Sequence, residues 1–260
     1  MSKVIAIANQ KGGVAKTTTA CSLGVGLSNK DRRVLLIDND PQASLTEAMG
    51  FQNPDELEIT LASVMEKVVN EESFDLSEGI IHHKEGVDIL PCNIELSGVE
   101  TSLVNIMSGE TILREYVDMI KDKYDYIIID CSPNLGMLTL NALTCADSVI
   151  IPVQAAYLPV KGLELLLRTI SKVRRKMNPT LNIEGILMTM VDKRTNYAKD
   201  ISEVVENIYG EDIYIFKNYI PASVRAAETP AMGVTIFEHD KNGRVAKAYD
   251  EMAKEVICHE

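Results

Sequence analysis

Two lysines five residues apart, Lys11 and Lys16, enclose a pair of glycines in the run Lys11-Gly12-Gly13-Val14-Ala15-Lys16-Thr17-Thr18. That combination suits phosphate binding. A glycine-rich turn aims successive backbone N–H groups at one point, and a following helix adds its positive N-terminal end. Lys16 supplies a point charge for the outer phosphates, and the Thr17 hydroxyl offers an oxygen to Mg²⁺. The strict phosphate-loop pattern would put its glycines at positions 10 and 15, which are Gln10 and Ala15 here. The run therefore reads as the deviant form K-G-G-x-x-K-[ST], with an extra lysine on the entry side. Asp130 ends an apolar run, a usual place for the acid that holds Mg²⁺ directly or through water. Asp38 and Asp40 end another. A carboxylate there orients a water toward a terminal phosphate, or it caps a helix or shapes the turn before Pro41.

These residues need elements that bring them to one edge. Strand-like runs fall at 4–8, 33–38, 87–90, 125–130, 148–153, 184–190 and 212–216. Several are near-continuous β-branched runs, the mark of strands buried on both faces in a parallel sheet. Amphipathic stretches at 16–29, 98–122, 160–177, 197–209 and 243–257 supply helices. The alternation predicts an α/β fold over 1–260: a single doubly wound, mostly parallel sheet with helices on both faces. The acidic stretch 52–80 reads as a peripheral helical insertion. In such sheets ligands bind beyond the carboxyl ends of the strands. Those ends carry the Gly-Gly turn, Asp38-Asn39-Asp40-Pro41-Gln42, Asp130-Cys131-Ser132-Pro133, Pro152-Val153-Gln154 and Asp192-Lys193-Arg194-Thr195-Asn196.

The 260 residues are 46% hydrophobic and 25% charged, an ordinary globular balance. No apolar run approaches the ~20 residues that span a bilayer, and no signal peptide is visible. Five scattered cysteines without a C-x-x-C pair suggest neither a zinc site nor a disulfide framework, and fit a reducing cytoplasm. His82-His83 reads as an exposed loop pair. The net charge of −12 argues at first against nucleic acid. Its distribution changes that reading, because residues 38–100 hold 15 acids and 2 lysines, leaving the rest near neutral. Within 161–176, Lys161, Arg168, Lys172, Arg174, Arg175 and Lys176 face only Glu164. This is either a local basic surface or a solvated helix face.

Taken together, the motifs resemble the ParA/Soj family of deviant-Walker ATPases within the MinD–ParA superfamily. The resemblance rests on Asn9 to Thr19, Leu35 to Gln42, Tyr124 to Pro133, Leu138 to Leu143, Ile151 to Gln154, Asp192 to Asn196 and Ile220 to Glu228. It spans nearly the whole chain and is weakest over ~50–115. It implies an Mg²⁺-dependent ATP hydrolase. By that resemblance Lys11 reaches the partner's phosphates across an ATP-sandwiched homodimer, and Gly12 stays small where the opposing subunit approaches. Gly13, Val14, Ala15, Lys16, Thr17 and Thr18 hold ATP, and Thr17 and Asp130 support the metal. Lys11, Lys16 and Asp40 form the catalytic set, with Asp40 positioning the water. Pro221 and Ser223 flank the adenine. Arg194 and Arg225 match basic positions for non-specific double-stranded DNA, or serve as structural salt-bridge arginines.

The implied role is segregation of a plasmid, chromosome or mobile element, with hydrolysis stimulated by a ParB-like centromere-binding partner. The protein would be cytoplasmic and nucleoid-associated when bound to ATP. The alternative is a MinD-like membrane-surface ATPase, which needs a basic amphipathic tail; the acidic segment 249–260 does not supply one, so no membrane is expected. A cluster carrier and a small-molecule kinase or ligase on the same fold are the remaining readings. Two departures matter. Ala15 stands where the family has glycine, and a positive φ there costs roughly 1–2 kcal/mol. Ala222-Ser223 stands where the family shows Arg-Asn, so DNA binding is expected to be weaker.

Overall fold

The computed structural model describes residues 2–155, 160–192 and 194–259, excluding the side chains of 160, 161, 196, 197 and 199. Its strands are β1 (Lys3–Ile7), β2 (Val34–Asn39), β3 (Ile81–His82), β4 (Asp88–Leu90), β5 (Tyr126–Cys131), β6 (Ser148–Gln154) and β7 (Asn182–Thr189). They form one sheet in the order β3-β4-β2-β5-β1-β6-β7. Only β3 runs antiparallel, to β4. The central strands are buried along their whole length because both sheet faces are covered, and they are apolar up to the polar residues at their carboxyl ends.

The helices are α1 (Lys16–Ser28), α2 (Ser44–Ala48), α3 (Leu61–Val69), α4 (Leu96–Leu103), α5 (Ile112–Ile120), α6 (Met137–Cys145), α7 (Val160–Lys176), α8 (Asn196–Tyr209), α9 (Val224–Met232), α10 (Ile236–His239) and α11 (Arg244–Cys258). Helices α3 to α8 bury apolar residues in the core on one sheet face. Helices α1, α2, α10 and α11 do so on the other. Helix α1 is buried on nearly all sides because it lies between the sheet and α11. A Cβ on Gly24 would stand 2.5 Å from the Leu36 side chain, so any larger residue there would force the end of the Leu36 side chain to shift.

Four sequence-based expectations differ from the structure. His82-His83 is not an exposed loop pair, because His82 belongs to β3 and His83 is buried. The 98–122 helix is two helices, α4 and α5, separated where Ser108 takes a left-handed backbone (φ 55°). The strand at 212–216 is absent as a strand. It lies beside β7 through the single bridge Ile186–Ile215, and its Tyr214 carbonyl would be 2.9 Å from a Cβ on Gly185. Within 52–80, α3 buries Leu61, Val64 and Met65 completely. It is a sheet-covering helix rather than a peripheral one, and residues 70–80 carry no regular secondary structure. Among the described residues no helix is long and apolar enough to cross a membrane.

Candidate functional site

The parallel register sets the site. Ile7, Asp38 and Asp130 lie in one row across β1, β5 and β2, so the carboxyl ends of three adjacent strands reach the same edge. From there the chain leaves β1 into the Gly-Gly turn and enters α1 at Lys16. Gly13 takes φ +69°, and Ala15, the residue before α1, takes φ 66° and ψ 36°. The glycine-for-alanine question raised by the sequence is thereby answered. Ala15 is in the left-handed region and carries the corresponding strain, about 1–2 kcal/mol. Ala43, at the start of α2, and Met190, just past β7, are also left-handed (φ 52° and 51°). Strained backbone thus recurs around this edge.

The turn is tied at both ends. On the entry side, the Asn9 carboxamide donates to the Pro152 carbonyl at 2.6 Å and accepts from the Lys11 N–H at 3.0 Å. On the exit side, the Thr189 hydroxyl donates to the Val14 carbonyl at 3.1 Å. The first helical bond, Thr19 N–H to the Ala15 carbonyl, is 2.9 Å. Behind α1, the Thr19 and Tyr249 hydroxyls are bonded at 3.1 Å. Gly12 and Gly13 crown the turn, exposed, with open space where a Cβ would sit. Among the described residues nothing requires Gly12 to be small.

Lys16 is 8% exposed and donates to the Lys11 carbonyl at 3.3 Å. Burial lowers its pKa, with Asp130 opposing that shift. Asp130 is 1% exposed; its Oδ2 accepts from the Thr17 hydroxyl at 2.6 Å, and its Oδ1 is buried with no partner. Burial pushes its carboxyl up to about 8, with Asp38 adding to the shift. A buried carboxylate oxygen without a donor, beside a threonine hydroxyl, is what a hard cation satisfies. Thr17 and Asp130 therefore fit Mg²⁺, and the exposed turn with Lys16 fits the phosphates.

Asp38 and Asp40 separate in role. Asp38 is fully buried, and its carboxylate accepts from the Thr46 N–H at 2.8 Å and the Thr46 hydroxyl at 2.7 Å. It holds the first turn of α2, whose own preceding residue, Ala43, provides no side-chain cap. Burial raises its carboxyl to about 7. Asp40 is half-buried, and its Oδ1 accepts from the Gln42 N–H at 3.1 Å. Its place beside Lys16 at the open edge suits a water-positioning carboxylate.

Pro221 bridges to Val191, and the Ala222 N–H donates to the Val191 carbonyl at 3.1 Å, so this segment continues from the end of β7. A 360 Å³ cavity is lined by Pro221, Ser223, Arg225 and Arg244 among others. Arg194 is 90% exposed in its side chain and forks onto Asp192 at 2.9 and 2.7 Å. Arg225 is 62% exposed in its side chain and lies 3.3 Å from Asp240. Both arginines are partnered by acids yet open to solvent. In α7, Arg168 pairs with Glu164, while Arg174 donates to the Leu181 carbonyl and to Asn182. Of the basic run, Lys172, Arg175 and Lys176 stand exposed. Lys193 and the Lys161 side chain lie outside the described residues.

Asn9 and Thr189 have no assigned role in the sequence reading. Asn9 lies inside the recognised run, so its position was visible there. Thr189 carries no local signal, because only the β6–β7 register brings it to the turn. All five cysteines are free: Cys21, Cys92 and Cys131 are buried, Cys145 is half-buried and Cys258 is exposed. No metal-holding group of three or more His, Cys, Asp or Glu occurs among the described residues.

The AAA-domain family profile matches residues 2–183. The chain is 42% identical over 259 residues to the sporulation initiation inhibitor protein Soj of Bacillus subtilis, covering 100% of both chains. It is 38% identical to the chromosome partitioning protein ParA of Myxococcus xanthus, covering 98% of this chain and 88% of that one. Among solved structures, one named cobyrinic acid a,c-diamide synthase from Mycobacterium smegmatis, with bound ADP and magnesium, superposes with a TM-score of 0.86. That chain is 36% identical, with 100% of this chain and 95% of that one covered.

Proposed function

The chain belongs to the ParA/Soj family of partition ATPases, with ATP and Mg²⁺ as its cofactors, and from that premise we propose that ATP closes it into a DNA-binding homodimer. The observation that carries this reading is the open crown of the phosphate turn. Gly12 and Gly13 are exposed, and a Cβ at either meets nothing within 4 Å. A second copy approaching there would bring its Lys11 toward the bound phosphates, as a cation supplied in trans.

Within one subunit, Lys16 and the N–H groups of the turn hold the outer phosphates, and Thr17 and Asp130 hold Mg²⁺. The metal, when bound, neutralises charge that develops on the transferring phosphoryl group. Asp40 orients the attacking water. Pro221 and Ser223 flank the base. Arg194 and Arg225 exchange their acidic neighbours for DNA phosphates. A ParB-like partner accelerates hydrolysis and releases the dimer, which is cytoplasmic and nucleoid-associated while bound to ATP. The cargo is a DNA molecule to be segregated.

Duplex binding at low salt, measured with ATP, ADP and no nucleotide, tests this reading. Binding is expected with ATP alone, and no binding in any state would remove the DNA-related part. The solved neighbour named as a synthase supplies a competing reading, ATP-dependent amide formation. Phosphate release from ATP with water as the sole acceptor, accelerated by DNA, supports partition. Release that requires an added organic carboxylate supports the other. A membrane-surface role finds no support in α11, which buries Val245, Tyr249, Met252 and Val256 against the core.

A further inference from the structure

We infer that Thr189 is a positioning residue for the phosphate turn: its hydroxyl clamps the Val14–Ala15 peptide so that the strained Ala15 holds its N–H toward the nucleotide. This rests on the reading of 11–18 as the nucleotide cradle and deepens it.

A trans peptide unit is planar, so its C=O and N–H point in opposite directions. The Val14 carbonyl points inward and accepts from the Thr189 hydroxyl at 3.1 Å. The Ala15 N–H must then point outward, to the side of the exposed Gly12 and Gly13. Thr189 is fully buried and ends β7. Its backbone is anchored by register to Gln154 and by its carbonyl accepting from the Ala155 N–H at 3.2 Å. The hydroxyl is therefore presented from rigid scaffold rather than from a loop.

The clamp matters in this chain because residue 15 is alanine with φ 66°. An L-residue prefers negative φ, and a rotation of the Val14–Ala15 peptide would relieve the strain. The same rotation would remove the Val14 carbonyl from Thr189 and turn the Ala15 N–H away from the cradle. The conformer that binds phosphate is thus opposed by the Ala15 backbone and supported by the Thr189 hydroxyl. Glycine at 15 would have no such opposition.

MgADP binding by calorimetry decides this, using wild type, Thr189→Val, Thr189→Ser, Ala15→Gly and the Ala15→Gly/Thr189→Val double variant. Melting without nucleotide checks that each is folded. Valine keeps the shape and strand preference of threonine and removes only the hydroxyl. Thr189→Val is expected to weaken MgADP binding about tenfold, the scale of one buried hydrogen bond. Thr189→Ser is expected to stay within about threefold of wild type, because the donor is retained. On the Ala15→Gly background, adding Thr189→Val is expected to cost less than about threefold. Equal losses on both backgrounds, or a serine variant as weak as the valine one, would overturn the proposal. If Thr189→Val alone does not fold, the comparison of Ala15→Gly with the double variant still decides, because a tenfold loss there contradicts the clamp. Lys16→Ala separates the two levels. If it leaves MgADP binding intact, the cradle reading itself fails; if it abolishes binding while Thr189→Val changes nothing, only the clamp fails.

Discussion

The phosphate turn and the arginine-bearing edge lie at the same end of the sheet but are built on opposite plans. The turn is tied down from beneath by its own chain: Asn9 ties it to β6, Thr189 ties it to β7, and Tyr249 backs α1. Its charged groups, Lys16 and Asp130, are buried and held against their solvation preference. Arg194 and Arg225 instead stand in solvent, each beside a nearby acid. Buried, preorganised groups act strongly on whatever enters between them, whereas exposed ion pairs are worth little and exchange partners readily. Under the proposed function the first region holds the nucleotide and the second meets DNA outside the chain.

That contrast can be broken by substitution, and the largest effect is expected inside the turn. Lys16→Ala should weaken MgATP binding by at least ~100-fold, because a buried cation facing phosphate has no substitute in this site. Its melting temperature should hold or rise, since an ammonium disfavoured by burial is removed. A binding loss under tenfold would mean that the phosphates sit elsewhere.

Asp40→Ala comes next. Single-turnover phosphate release should slow by about 100-fold while ATP affinity stays within about threefold, because positioning a water adds little to ground-state binding. Equal losses in both would recast Asp40 as a structural residue like Asp38.

At the exposed edge the effect should be smaller and salt-dependent. Arg225→Glu should weaken duplex binding about tenfold and flatten its salt dependence. It should shift unfolding stability by less than ~1 kcal/mol, because the contact with Asp240 is exposed. A large stability loss with unchanged DNA binding would assign Arg225 to the fold.

A last effect concerns pH and acts on stability rather than on binding or turnover. The folded-state carboxyl of Asp38 is raised to about 7 by burial, against ~3.9 in an unfolded chain. Between those values the folded state holds the extra proton, so this group's contribution to stability is full below about pH 4 and is lost as pH rises through about 7. The slope is at most about 1.4 kcal/mol per pH unit for one carboxylate. Asp125 and Asp192 are lowered to about 2 by Arg33 and Arg194. They are therefore ionised in both states across pH 5–8 and add no slope there. Denaturant titrations should show wild type losing stability from pH 5 to 8 and Asp38→Asn losing less, since the amide oxygen still accepts from Thr46. Identical pH profiles would mean that Asp38 is not protonated on folding.

How far the site was legible in the sequence depended on whether its determinants were local. Lys11 to Thr18 was readable because turn, charge and hydroxyl are consecutive. Asp130 was singled out only in combination: many buried strands end in Asp, and it was Lys16 and Thr17 in the same sequence that pointed to a metal-holding carboxylate. Asp38 and Asp40 could not be separated on the page: they are two residues apart, and what distinguishes them is Thr46, which reaches back to Asp38 from α2. The helices α2, α6, α9 and α10 were not read from the pattern, and neither was β3, whose two residues carry no periodicity. The break between α4 and α5 was missed because the apolar spacing runs on across a left-handed Ser108.

By itself the sequence determined the alternation of buried strands and helices, and with it the edge where charged residues collect. β-branched runs cannot be left in water, and the residues that follow them must turn at the same side of a parallel sheet. Tertiary structure decided what those residues do to one another. It placed Asp38 beside Asp130 across two strands, set Ala15 in a backbone it disfavours, and brought Thr189 from 175 positions away to hold the carbonyl before it. Register, burial and the direction of one peptide plane are properties of packed neighbours, and no local run of residues specifies them.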